Sequence, residues 1–175
     1  MNPFADVFAA IQFAAEKHAG QTTKDGRPYI NHPIEVAYLL VEFGDIADPE
    51  IISAAILHDV IEKCGVGREE LANRFSGSIA DVVAELSDDK SLPEAERRLR
   101  QTASAANLSR RAKVIRIADK ISNLKQLKNR PNAESDDSLA RYVEWTSGML
   151  PMLSGVSPRL EALLMETLAC AKEKT

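Results

Sequence analysis

The chain has 175 residues, of which 45% are hydrophobic and 27% charged, and a formal net charge of −4. That length carries one domain with a real core. The balance supplies no global basic field for nonspecific nucleic-acid binding, although a local basic patch for a small anionic substrate remains open. No apolar run is long enough to span a bilayer, and the N-terminus lacks a secretory apolar core. Cys64 and Cys170 stand far apart with no metal-type spacing, as expected of reduced thiols in a cytoplasmic protein.

The signals are helical almost throughout. A first helix is expected from about Pro3 to His18, with Phe4, Val7, Phe8, Ile11 and Ala15 on one face. His18, at its end beside Gly20, reads as a structural residue that complements the helix dipole. Residues 20–30 break the period and read as a loop or short hairpin turning at Asp25-Gly26. A second helix is expected from near Pro33 to Gly44. Asp48-Pro49 is a cap and first-turn pair for a third, which runs unbroken to near Gly65. Shorter helices are expected over Arg68–Phe75, Ser78–Leu86 and Ala95–Ala106. A long amphipathic helix is expected over Ser109–Lys128, with Val114, Ile117, Ala118, Ile121 and Leu124 at helical spacing. A polar break over Arg130–Asp137 precedes two last helices, Ser138–Leu153 and Pro158–Lys172. No convincing period-2 strand, internal repeat or domain linker appears, so the expectation is a single all-α bundle over residues 1–175, with the 20–30 loop or hairpin as its irregular part.

One pair stands out. The third helix, IISAAILHDVI, is apolar on every face yet carries His58-Asp59. Buried charge without partners is costly, so the pair needs an offset. His32, just before Pro33 where the chain is expected to be held extended, and Asp119, beside the apolar stripe of the long helix, could join it. Two imidazoles and two carboxylates form a mixed nitrogen and oxygen set that suits Mn²⁺, Fe²⁺ or Zn²⁺ better than Ca²⁺ or Mg²⁺. A simple core hydrogen bond between His58 and Asp59 accounts for the dipeptide equally well.

The spacing of His32, His58-Asp59 and Asp119 resembles the HD superfamily of metal-dependent phosphohydrolases. The runs KHAGQTTKDGRPYINHPIEVAYLL, AAILHDVIEK, SDDKSLPEAERR, VIRIADKISNLKQL and RYVEWT narrow the resemblance to the small alarmone hydrolases of the metazoan SpoT-homologue type. These are stand-alone relatives of the hydrolase domain in Rel/SpoT enzymes, and the resemblance covers about residues 5 to 165. It implies Mn²⁺-dependent removal of the 3′-pyrophosphate from guanosine tetra- and pentaphosphate, a small-molecule nucleotide substrate rather than nucleic acid or membrane. By the same resemblance, His32, His58, Asp59 and Asp119 match metal ligands. Glu62 matches an acid that handles the attacking water. Asn123 and Tyr142 match substrate-pocket residues, and Lys24 matches a basic residue of the preceding loop. Tyr29 is shared and is expected mainly to pack that loop.

Helical spacing agrees, since His58 and Glu62, like Asp119 and Asn123, are four residues apart and stack on one helix face. Lys24, Arg27, Arg116 and Lys120 are candidate cations around a pyrophosphate, each equally readable as a solvated surface charge. The chain departs from the family pattern at three positions. Lys63 replaces the second acid of a Glu-Asp pair, where it could pair with Asp59, bind a phosphate oxygen as part of the catalytic apparatus, or weaken turnover. Thr23 replaces an arginine that packs on the guanine base, and Cys64 replaces a threonine. These departures keep other outcomes open: hydrolysis of an adenosine alarmone or of the NADPH 2′-phosphate, or a regulator that binds nucleotide with weakened catalysis.

Overall fold

The computed structural model describes residues 3–23, 25–129 and 137–173. Among them the structure is helical, and the only β feature is an isolated antiparallel bridge between Thr22 and Pro28. The helices are α1 (Pro3–Lys17), α2 (Asn31–Glu42), α3 (Pro49–Leu57), α4 (Val60–Cys64), α5 (Arg68–Arg74), α6 (Gly77–Leu86), α7 (Glu94–Ser104), α8 (Arg110–Lys128), α9 (Ser138–Leu153) and α10 (Pro158–Lys172). A 3₁₀ turn, Ala105–Asn107, follows α7.

Two elements form the axis of the bundle. Helix α3 is sequestered over Ser53–Leu57 and packs against α1, α2 and α6. It starts as its sequence dictates, with the Asp48 carboxylate accepting from Glu50 N–H and Pro49 in the first turn, where a missing amide costs nothing. Helix α8 packs against α2, α9 and α10. Val114, Ile115, Ile117, Ala118, Ile121 and Leu124 are all buried, each large aliphatic among them contributing about 1.5–3 kcal/mol. The expected amphipathic helix is in fact covered on nearly every side, since Arg116, Asp119, Lys120 and Ser122 are buried as well.

Three further expectations change. The third helix is not continuous to Gly65: it breaks at His58-Asp59 and restarts as α4, which ends at Gly65 in the left-handed conformation (φ 70°). The break coincides with the His58 ring, whose Nδ1 lies 2.7 Å from the carbonyl of Ala55 and so enters the carbonyl ladder. Helix α2 begins two residues earlier than expected, because Ile30 is already helical (φ −54°, ψ −24°) and His32 N–H donates to Tyr29 O at 2.9 Å. His32 therefore lies within the first helical turn instead of on an extended approach. The 20–30 segment is a tight hairpin-like loop as expected, with Thr23 N–H donating to Arg27 O at 2.8 Å and Gly26 N–H to Thr23 O at 2.9 Å. Gly26 sits at φ 82°, which favours glycine there. Most of the Arg130–Asp137 break lies outside the described residues.

Candidate metal centre and adjoining clefts

The first turn of α2, the α3–α4 break and the middle of α8 bring four side chains to one point. His32 Nε2 lies 3.2 Å from Asp119 Oδ1 and 3.8 Å from Asp59 Oδ2. His58 Nε2 lies 3.4 Å from Asp59 Oδ2 and 3.8 Å from Asp119 Oδ1. All four residues are buried. Donor atoms of His32, His58 and Asp59 all lie within 4.8 Å of one another, a separation that a single ion can span.

The hydrogen bonds behind the rings decide which nitrogens face inward. A carbonyl only accepts, so His58 Nδ1 must donate to Ala55 O, which leaves the Nε2 lone pair directed at the carboxylates. That Nε2 is buried with no hydrogen-bond partner in the protein. An orphaned buried acceptor of this kind fits a cation. Ser122 donates its one hydroxyl proton to Glu35 Oε2 at 2.9 Å, and the Ser122 oxygen at 3.0 Å and the Gln126 amide nitrogen at 3.1 Å both lie against His32 Nδ1. His32 Nε2 is thereby turned inward as well. Backing of this type fixes the orientation of an imidazole ligand.

The carboxylates are held just as firmly. Asn123 donates to Asp119 Oδ1 at 2.7 Å, and Tyr29 donates its hydroxyl to Asp59 Oδ2. Burial works against ionising Asp119, but the His32 hydrogen bond and the charges of His32, His58 and Lys120 outweigh it and hold its pKa far below the usual carboxylate range. Burial likewise opposes ionisation of Asp59, and His58, Lys63 and His32 together bring its pKa down. Two carboxylates and two imidazole nitrogens facing one point make a site with the right chemistry for a divalent ion of intermediate softness.

Lys63 stands between this cluster and Glu62. Its Nζ is 3.8 Å from Asp59 Oδ1 and 3.6 Å from Glu62 Oε1, and it lies 5.3 Å from the centre of the Tyr29 ring. Glu62 is only 11% exposed; its other oxygen accepts from Asp88 N–H at 3.3 Å, and Arg97 Nη1 is 3.7 Å from Oε1. The interruption at residues 58–59 falls between His58 and Glu62, and Lys63 links the two sides of the site.

Two clefts open here. One, of about 210 Å³, is lined by Thr22, Thr23, Tyr29, His32 and Lys63, together with Asn123 and Gln126. The other, of about 850 Å³, is shared by Lys63, Asn123 and Gln126 and continues past Arg97, Arg98, Arg141, Tyr142 and Trp145. Asn123 thus lines both cavities and Tyr142 the larger one. Lys24 falls outside the described residues.

Other expected cations are placed differently. Arg27 is exposed and turned to Asp25 at 2.7 Å. Arg116 is buried and donates to Leu86 O at 2.9 Å. Lys120 is 2% exposed, donates to Gln101 Oε1 at 2.6 Å and lies 3.6 Å from the centre of the Trp145 ring. Gln101 in turn donates to Asp88 at 2.9 Å. Burial pushes the Lys120 amine down to about 7 despite the opposing Asp119 charge. A buried ammonium costs several kcal/mol, and the indole face offsets about 2 kcal/mol of that, so Lys120 braces the cleft wall and is not a solvated charge. The terminal His18 is also not at the surface: it is buried, with Nδ1 3.0 Å from Gln21 Oε1 and 3.4 Å from Cys64 Sγ.

Sequence reasoning assigns no site role to Arg97, Arg98, Gln126, Arg141 or Trp145, all of which line the larger cleft. The one available signal was their position inside the SDDKSLPEAERR, VIRIADKISNLKQL and RYVEWT runs, since no single-helix period marks residues that meet only across α7, α8 and α9.

A helical bundle with a buried His-Asp pair joined by a histidine and an aspartate from other helices defines an HD-domain protein. The HD domain family model matches residues 10–144, and the chain belongs to that family. It is 42% identical over 166 residues to the guanosine-3′,5′-bis(diphosphate) 3′-pyrophosphohydrolase MESH1 of Danio rerio, covering 93% of this chain and 92% of that protein. It is 38% identical over 164 residues to the Homo sapiens protein of the same name, covering 91% of each. A solved structure described as a metazoan ortholog of SpoT that hydrolyses ppGpp aligns with a TM-score of 0.91 and 35% identity over 97% of both chains.

Proposed function

We propose that this chain is a divalent-metal-dependent pyrophosphohydrolase that removes the 3′-pyrophosphate from guanosine 3′,5′-bis(diphosphate), with Mn²⁺ as the preferred ion. The observation that carries this reading is the convergence of His32, His58, Asp59 and Asp119 around a buried His58 Nε2 that has no partner, in a chain that matches MESH1 relatives over nine-tenths of its length.

In this reading those four side chains hold the ion. When bound, it supplies positive charge to phosphate oxygens and makes water a competent nucleophile near neutral pH. Glu62, held by Arg97 and the Asp88 amide, receives the proton of the attacking water. Water adds to the phosphorus attached to O3′ and the bond to O3′ breaks. Pyrophosphate leaves with the water oxygen, and O3′ takes up a proton to give GDP. Lys63 faces both cavities and neutralises a phosphate oxygen in the developing charge distribution. Asn123 and Tyr142 position the ribose end, and Lys24 adds charge from the loop.

One observation favours a second reading, hydrolysis of an adenosine alarmone or of the NADPH 2′-phosphate by the same centre. Thr23 donates its hydroxyl to Asp25 within the loop, and Arg27 is bound to the same residue, so neither offers a planar cation for stacking on guanine. A product-resolved panel with Mn²⁺ tests both. Pyrophosphate and GDP from ppGpp support the first reading. Phosphate from NADPH, or pyrophosphate from an adenosine alarmone, with no release from ppGpp, replaces it with the second.

A further inference from the structure

Tyr29 is more than packing for its loop. Its backbone N–H donates to Gln21 O at 2.9 Å, across the neck of the hairpin. Its ring is wedged between His18 at 5.0 Å and His32 at 5.7 Å between centroids, with the Lys63 ammonium 5.3 Å from its centre. His18 is in turn fixed by Gln21 and Cys64. The ring therefore has walls from the residue that follows α1, from α2 and from α4, and its hydroxyl is delivered to one place, Asp59 Oδ2.

That oxygen is the one that faces both imidazoles, at 3.4 Å from His58 Nε2 and 3.8 Å from His32 Nε2. The other oxygen of Asp59 faces Lys63. A carboxylate is free to rotate about its terminal bond. Here the Tyr29 hydroxyl on one oxygen and the Lys63 ammonium 3.8 Å from the other restrict that freedom. Asp59 also follows the helix break, where no continuous helical ladder holds its backbone on the N-terminal side.

We infer that Tyr29 is a positioning residue for the proposed metal centre: its hydroxyl sets the rotation of the Asp59 carboxylate. The inference rests on the metal-dependent reading above. It assigns Tyr29 no contact with substrate or with the reacting atoms. A hydrogen bond of this kind to a metal-ligating group is worth about 10- to 100-fold in metal affinity or activity.

The test is Tyr29→Phe in the full chain, which keeps the ring and removes only the hydroxyl. Thr23→Val is the control, since it loosens the same loop without touching Asp59. The primary readout is the Mn²⁺ dissociation constant of metal-stripped protein, measured by chelator competition, with a thermal melt to verify folding. Tyr29→Phe is expected to weaken Mn²⁺ binding about 10-fold or more and to lower kcat with KM nearly unchanged, while Thr23→Val retains Mn²⁺ affinity. Unchanged affinity in folded Tyr29→Phe, or equal weakening in Thr23→Val, overturns the inference and leaves the proposed function standing. Wild-type protein that binds no Mn²⁺ overturns the proposed function itself.

Discussion

His58 Nδ1 donates to the Ala55 carbonyl across 2.7 Å, and this bond decides which face of the imidazole meets the two aspartates. Because the acceptor is a backbone carbonyl, no rotation of a neighbouring side chain can reverse the assignment. His58→Ala is expected to abolish stoichiometric Mn²⁺ binding. One ion per chain retained in that variant, counted by metal analysis after dialysis, would remove His58 from the proposed centre.

Glu62 lies beside the cluster, and its carboxylate is occupied by the Asp88 amide with Arg97 alongside. Glu62→Gln keeps the shape and loses the base. Its kcat is expected to fall by about 10²- to 10⁴-fold, with Mn²⁺ affinity nearly unchanged. A parallel loss of metal binding would make Glu62 a ligand and not a proton acceptor.

Lys63 touches both cavities, so its removal separates two roles. Lys63→Met deletes the charge while keeping the stem. A charge-assisted contact to phosphate is worth about 1.5–3 kcal/mol, so KM for ppGpp is expected to rise about 10- to 100-fold. If KM holds steady and Mn²⁺ affinity shifts instead, Lys63 serves Asp59 alone.

The start of α10 offers a stability test remote from the site. Ser157 Oγ accepts from Leu160 N–H at 3.4 Å, and Glu161 accepts from Ser157 and Val156 N–H at 3.0 Å each. Burial opposes ionisation of Glu161, but these backbone donors outweigh it and lower its pKa from 4.5. A depressed folded-state pKa means that the stabilisation is full above the unfolded value and disappears as pH falls through the folded one. Glu161→Ala is expected to cost about 1 kcal/mol at neutral pH. The gap from wild type should close below about pH 4, as followed by denaturant melts across pH. A gap that persists undiminished at pH 3 would contradict the assignment.

Much of this was legible in the sequence for physical reasons that can be traced. The caps at Asp48, Ser109 and Ser157 are local, and each begins a helix within a residue of its expected start. His32, His58, Asp59 and Asp119 were legible because polar groups on apolar segments demand partners. The break at residue 58 was not, since it coincides with a side-chain ring entering the carbonyl ladder, and the apolar pattern runs straight through it. The burial of Arg116 and Lys120 was also hidden. Long cationic side chains look alike in sequence whether they reach solvent or, as here, Leu86 O and the Trp145 ring. The wall of Arg97, Arg98 and Trp145 depends on how α7 and α9 meet over α8, a relation no single helix carries.

The interruption between α3 and α4 has a bearing on how the His-Asp dipeptide works as a motif. Consecutive residues on an unbroken helix project about 100° apart, so one of the two would look away from any common centre. Here the regular helix is interrupted at residues 58–59, and the two adjacent side chains reach the same point. The dipeptide is thus a marker of a turn in the backbone as much as of two donor atoms. A regular helix through those two positions would turn the side chains apart while leaving every one of the centre's residues in the chain.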